Sequence, residues 1–315
     1  MIKVKQPLKL SVLDLVPVFE GREDTYALAQ AAELAQAAEL LGYTRYWAAE
    51  HHDMPKLACP APEVLLAYIG AKTERIRIGS GAVLLPHYSP LKVAECFQLL
   101  AGLFPGRVDL GLGRAPGGSA HVSMALSGNF LENVRQTPDK LKNITELLMG
   151  SYMYEGEPVG ARPNPPVPPE IWMLGTNRKS AEYAAKFGTG YVFGQFMSDT
   201  AGDEVLKAYR EAFVPSPLFP EPKSIVTMGA VCAETEEEAR RLASSGAALF
   251  RKDAQDGEAA PYFETKLLIG TPASIANRLQ ELSDLYGVDE FMLVTMIPDY
   301  RARIHSYELI AREVW

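Results

Sequence analysis

The sequence predicts an α/β chain folded as a (β/α)8 (TIM) barrel, a single domain over residues 1–315. Three observations carry this reading. Short apolar strands alternate with amphipathic helices nearly from end to end, and the units number about eight, which closes a parallel barrel. Several strands run straight into polar or glycine-rich residues, as if they opened into one shared site; Glu50-His51-His52 after Arg45-Tyr46-Trp47-Ala48-Ala49 is the clearest case. The length of 315 residues, with 47% hydrophobic and 22% charged, suits a full core in one unit. A doubly wound open sheet would use the same units and stands as the alternative.

In order, 8–16 reads as the first strand. A helix follows over 26–41, where Ala31, Leu34, Ala35, Ala38 and Leu41 share one face and Gly42 supplies the stop. Strands at 45–49 and 77–85 alternate with helices at 61–72 and 91–103. A fourth strand, 108–112, leads into a long polar, glycine-rich stretch, 113–137, before a helix at 138–149. Strands at 171–174, 191–193, 224–231 and 290–294 then alternate with helices at 180–187, 204–213, 236–251, 272–286 and 301–314. Residues 158–169 hold six prolines; before a strand, they read as a rigid connector at the barrel end away from the site. Residues 253–262, acidic and alanine-rich, read as a mobile loop or the remnant of an insertion.

The net charge of −8 argues against nucleic acid or an anionic membrane as main partner. No apolar run reaches the ~18 residues of a membrane span. Cys59, Cys96 and Cys232 are too scattered for a disulfide framework or a thiolate zinc site. Residues 1–7 lack the apolar core of a signal peptide. A reduced, cytoplasmic setting is expected.

On a barrel, reactive groups sit on the loops that follow the strands. His51, His52, His87 and His121 all fall there, although loops are polar for ordinary reasons too. Imidazole titrates near neutral pH, so a histidine in that position can give or take a proton. A metal site is not expected, because His51 and His52 are adjacent and a strand would aim them to opposite sides. Gly111-Leu112-Gly113 follows a strand, but Pro116 stands where a dinucleotide fingerprint needs its third glycine. What remains is a small-residue approach for a flat ligand, with the Arg114 fork for a phosphate. Gly175-Thr176-Asn177-Arg178-Lys179-Ser180 follows a strand and starts a helix. That suits an anion, or else plain helix capping by Asn177 or Ser180. Gly79-Ser80-Gly81-Ala82 interrupts a strand pattern, permitting close contact with a ligand or merely fitting a crowded interior. Trp47, Trp172 and Cys96 read as core, and Cys59 is weak evidence for a nucleophile.

These residues, in this order, resemble the bacterial luciferase-like family of flavin-dependent monooxygenases across nearly the whole chain. The marks are Trp47-Ala48-Ala49-Glu50-His51-His52, the run from Arg77 to Pro86, and Gly106-Arg107-Val108-Asp109-Leu110-Gly111-Leu112-Gly113-Arg114. Later come Leu174-Gly175-Thr176 with Ser180-Ala181-Glu182, Gly270-Thr271-Pro272 and Asp289-Glu290-Phe291. The resemblance implies a (β/α)8 barrel that holds FMN at the strand C-termini. It implies that His51 is the catalytic histidine and that Gly81 and Ala82, joined by a cis peptide, lie under the flavin; Ser80 is a further cofactor-binding candidate, and strand geometry leaves His52 a supporting role. Arg114, Asn177 and Ser180 would take the phosphate, with Gly175 and Thr176 as further cofactor-binding candidates. Reduced FMN, delivered by a separate NAD(P)H-flavin reductase, and O2 would oxygenate a small organic substrate; a homodimer is expected. Gly113 replaces a cysteine of luciferase, and Ala115-Pro116-Gly117 replaces its aldehyde-lining aromatics, so a non-luminescent member is expected. An F420-dependent oxidoreductase on the same fold, a non-catalytic flavin-binding protein and a metal-dependent barrel hydrolase are the rivals.

Overall fold

Arg45-Tyr46-Trp47-Ala48 shows how this chain makes strands. All four residues are buried, and alternate side chains leave a strand on opposite faces. Tyr46 and Ala48 pack in the outer core with the helices, whereas Trp47 packs inward with Leu13, Trp172, Val192, Ile225 and Met292. A strand apolar on both faces belongs between two layers, which is the situation of a barrel wall.

The computed structural model describes residues 7–251 and 266–315, without the side chains of 247–251. Eight parallel strands form the wall: β1 (Lys9–Asp14), β2 (Arg45–Ala48), β3 (Arg77–Ser80), β4 (Val108–Gly113), β5 (Glu170–Gly175), β6 (Gly190–Gly194), β7 (Ser224–Cys232) and β8 (Glu290–Val294). Each pairs with the next, and Lys9↔Glu290 through Val12↔Leu293 close the ring. The open-sheet alternative is thereby excluded. Around the wall lie α1 (Asp24–Leu40), α2 (Pro62–Gly70), α3 (Pro90–Leu103), α4 (Ala120–Ser127), α5 (Phe130–Arg135), α6 (Thr137–Met149), α7 (Arg178–Lys186), α8 (Gly202–Ala212), α9 (Glu236–Arg251), α10 (Pro272–Tyr286) and α11 (Tyr300–Val314). The helix α1 buries Ala27, Ala31, Leu34, Ala35 and Ala38, a 3.6-residue stripe. Thr271 and Asp299 cap α10 and α11 by accepting from the N–H groups of Ser274 and Ala302.

Charge closes the N-terminal end of the barrel. Asp109, the second residue of β4, accepts from Arg45 Nη1 at 2.8 Å, Arg77 Nε at 3.0 Å and Trp47 Nε1 at 3.0 Å. Arg45 Nε also donates to Glu290 at 2.8 Å. Burial pushes the Asp109 carboxyl up, but Arg45 and Arg77 outweigh it and hold its pKa below the ordinary value. Gly79 leaves room for this packing: a Cβ there would lie 2.5 Å from Trp47 Nε1 and 2.7 Å from the Asp109 Cβ. Gly79→Ala is expected to destabilise the fold by about 1–3 kcal/mol, read as a lower denaturation midpoint.

Three expectations change. The strand expected over 77–85 ends at Ser80; a cis Gly81–Ala82 peptide turns the chain, Val83–Leu84 pairs separately with β4, and a 3-10 turn follows at Leu85–His87. The stretch 113–137 contains α4 and α5, started by Ser119 and Asn129 accepting from the N–H groups of Val122 and Glu132. A short strand, Leu267–Gly270, runs parallel to the upper part of β7. The proline-rich connector does enter β5 at its N-terminal end, behind a hairpin of Met153–Tyr154 with Glu157–Pro158. The expected loop at 253–262 lies outside the described residues. Among those described, no helix is long and apolar enough to cross a membrane.

Candidate active site

At the C-terminal ends of the strands lies one cavity of about 770 Å³. Every strand or its exit loop lines it: Leu13 from β1, Glu50 and His51 after β2, Gly81 and Ala82 after β3, Gly113 and Arg114 from β4. Gly175 and Thr176 from β5, Val192 from β6, Thr227 from β7 and Val294 from β8 complete the ring.

The pair of histidines is delivered by backbone geometry. Ala49 N–H still bonds to the Asp14 carbonyl at 2.9 Å. Beyond it His51 N–H bonds to Cys59 and His52 N–H to Gly117, at 2.9 and 2.8 Å. The extended backbone sends Glu50 and His52 one way and His51 the other. Glu50 Oε1 accepts from His52 Nε2 and Tyr88 O–H, each at 2.7 Å; Oε2 accepts from Leu84 N–H at 3.0 Å. One carboxylate therefore braces the exits of β2 and β3, and His52 joins them to the loop of Gly117. Burial raises the Glu50 pKa against the opposing effect of those bonds.

His51 lines the cavity, and its buried Nδ1 has no hydrogen-bond partner. Burial first, then repulsion from His52, pushes its pKa down to about 4. The expectation of an imidazole titrating near neutrality is corrected: His51 is neutral at pH 7. The other loop histidines separate. His52 is absent from the lining and bonds to Glu50, which is part of it. His87 donates from Nε2 to the Pro116 carbonyl at 2.9 Å and stacks on Phe130, and His121 is exposed on α4. Burial pushes Cys59 up to about 12, which keeps it an inert thiol. Among the described residues no group of three His, Cys, Asp or Glu could hold a metal.

The floor is made of small residues. Ser80 is buried beneath it, with its hydroxyl bonded both to the carbonyl and to the N–H of Gly111, at 2.8 and 3.0 Å. A Cβ on Gly113 would lie 3.2 Å from the Ala82 methyl, so these loops touch through hydrogens alone. At the far side Arg114 has no carboxylate partner among the described residues, and its guanidinium lies 5.5 Å from the centre of the Tyr183 ring. Gly175 and Thr176 stand beside it in the lining, whereas Asn177 is exposed and caps α7 by accepting from Ser180 N–H at 3.2 Å. Ser180 is fully buried under this loop and donates to the Asn177 carbonyl at 2.7 Å. The structure thus brings His51, Gly81, Ala82, Arg114, Gly175 and Thr176 to the cavity and sets Ser80, Asn177 and Ser180 behind it as supports. Tyr88 and Ser198, which bonds to the Thr176 carbonyl at 2.6 Å, carry no pattern in the sequence that would have marked them.

A family model described as luciferase-like monooxygenase matches residues 9–289. The N-acetyl-S-alkylcysteine monooxygenase of Bacillus subtilis (strain 168) is 36% identical over 330 residues, covering 98% of this chain and 98% of its own. The uncharacterized protein YwcH of the same organism is 38% identical over 326 residues, covering 96% and 98%. The crystal structure of apo-MsnO8 superposes with a TM-score of 0.89 at 36% identity, covering 97% of this chain and 98% of that one. With the closed barrel and its strand-end cavity, these matches assign the chain to the luciferase-like monooxygenases.

Proposed function

We propose that the protein is the oxygenase of a two-component system: it takes reduced FMN from a separate NAD(P)H-flavin reductase and uses O2 to oxygenate a small organic substrate. The observation that carries this is the floor of Gly81, Ala82 and Gly113 facing one cavity with Arg114, which has no carboxylate partner among the described residues. A flat ring needs backbone it can approach closely, and a phosphate needs a fork of donors without a competing carboxylate. The residues present fit both needs. Arg114, Thr176 and the start of α7 would hold the phosphate, with Asn177 and Ser180 fixing that loop; Gly81, Ala82 and Gly113 would carry the ring. When bound and reduced, FMN supplies the electrons that activate O2. The chain does the rest: its apolar wall excludes water, Glu50 holds two loops at one spacing, and neutral His51 presents its ring proton as a donor to a reacting oxygen. The missing dinucleotide fingerprint at Pro116 supports a separate reductase. A homodimer is part of the proposal, because Val64, Tyr68, Leu99 and Leu103 on α2 and α3 are exposed apolar side chains.

Anaerobic titration with reduced FMN, followed by oxygen, tests the whole reading. Tight binding and substrate-dependent oxygenation are expected. Fast reduction by NADH without a reductase would remove the second component, and binding of F420 without FMN would move the chain to deazaflavin chemistry. Arg114→Ala should weaken FMN binding by about one to two decades, the ~1.5–3 kcal/mol of a charge-assisted contact, and leave riboflavin binding nearly unchanged. Equal losses for both ligands would show that Arg114 does not read the phosphate.

A further inference from the structure

The floor and Arg114 account for part of the cavity; the wall opposite has a different chemistry. There Leu15, Met54, Leu57, Val294 and Met296 face the space. None of them donates a hydrogen bond, and the two methionines can adapt to a ligand's shape. Charge is scarce. Among the described lining residues Arg114 is the single arginine or lysine and Glu50 the single carboxylate. Glu50 is already bonded to Tyr88, His52 and the Leu84 N–H.

We propose that the substrate held against this wall is a neutral, largely apolar organic molecule without a carboxylate, and that Arg114 serves the cofactor phosphate alone. The proposal deepens the FMN reading and rests on it for the commitment of Arg114. An anionic substrate would give up its water, meet the field of Glu50 and, with Arg114 taken by the cofactor phosphate, find no lysine or arginine among the described lining residues to replace the lost solvation. A protonated amine would meet a carboxylate whose oxygens are already engaged from three directions. Selection here works as much by what is withheld as by what is offered. The neutral state of His51 fits the same pattern, since a neutral ring gives a substrate one hydrogen bond and no charge.

A matched pair of probes tests this on the full chain: methyl octyl sulfide and 8-(methylthio)octanoate, which differ at one end by a carboxylate. Binding is read by displacement of the neutral fluorophore Nile red, with excess FMN present so that Arg114 is engaged. FMN binding is read separately, by quenching of flavin fluorescence. The neutral sulfide is expected to bind at least about tenfold more tightly, equivalent to about 1.4 kcal/mol. Met54 lines the cavity and is 39% exposed, so a lysine there keeps access to water. Met54→Lys is therefore expected to narrow the ratio to within a few fold without altering FMN affinity. Arg114→Ala is expected to weaken FMN and leave the ratio unchanged. Equal or tighter binding of the carboxylate to the unaltered protein overturns the proposal, with no variant needed. Selective loss of carboxylate binding in Arg114→Ala assigns Arg114 to the substrate and also overturns it. Retention of the full ratio in folded Met54→Lys shows that shape, not charge, discriminates. If FMN fails to bind while the ratio persists, the cofactor reading and the role given to Arg114 fall, and the neutral-substrate wall alone is upheld.

Discussion

His51→Ala is expected to lower product formation by about 10²–10⁴-fold, the usual worth of a positioned proton-handling side chain, while FMN affinity changes by no more than a few fold. The two effects separate because His51 lies on the wall after β2, whereas the groups proposed for the phosphate lie after β4 and β5. Without it the reacting oxygen loses its donor, and water can enter the space the ring filled. The measurement is coupling: product formed per reduced flavin consumed, with free hydrogen peroxide assayed beside it. Uncoupling should rise sharply in His51→Ala and only modestly in His52→Ala. The reverse order would give the role to His52, and no change in either would favour a flavin-binding protein without catalysis. The pH dependence follows from the depressed pKa. Neutral His51 persists down to about 4, so its contribution to rate should be level through neutrality and fall only as pH approaches that value. The sign for stability agrees: the unfolded chain takes up a proton near the ordinary imidazole value and the folded chain does not. His51 therefore draws stability away as pH falls from there toward about 4.

Asp109→Asn should give the largest loss of stability, about 3–5 kcal/mol, the typical cost of removing one partner from a buried ion pair. Asp109 is fully buried and is bonded to both Arg45 and Arg77. The amide keeps the shape but leaves two guanidinium groups without that countercharge. The check is the denaturation midpoint against a surface control. Lys9 and Asp289 also approach to 2.8 Å, but their side chains are 54% and 41% exposed, so Asp289→Asn should cost less than about 1 kcal/mol. Similar losses for both would refute the role given to burial. The folded pKa of Asp109 lies below its unfolded value, so its contribution is present above the ordinary carboxylate range and is lost as pH falls through the lowered value.

Much of this architecture was legible because it follows from periodicity. The stripe of α1 and the two-faced apolar strand at Trp47 say helix and wall without any tertiary knowledge. The end of β3 was legible in part: the break at Gly79-Ser80-Gly81-Ala82 and the cis Gly81–Ala82 peptide were expected and are present, but the strand's extent was not. Val83-Leu84-Leu85 reads as more strand, whereas Val83–Leu84 pairs separately with β4, a distant segment. Within the site, the type of His51 was visible but its charge state was not. That state comes from burial and from the neighbouring His52, and neither is a property of residue spacing. Ser180 illustrates the converse. Its position at a helix start suits an anion and a cap equally, and only the three-dimensional placement of Tyr191 and Asn177 shows where its hydroxyl is spent.

The strand Leu267–Gly270 has a consequence for engineering. β7 meets β6 through Ser224–Thr227 and meets this short strand through Gly229–Cys232. Gly229 faces Val294 on one edge and Leu267 on the other, so the short strand continues the edge that β6 vacates. Closure of the barrel and the shape of the chamber are thus written in different hydrogen bonds. Leu267, which borders the chamber and packs over Gly229, is expected to change the chamber's shape on exchange while the strand pairs that close the ring are kept. That makes this strand a natural cassette for retuning which molecules fit, one that leaves the scaffold's own fastening untouched.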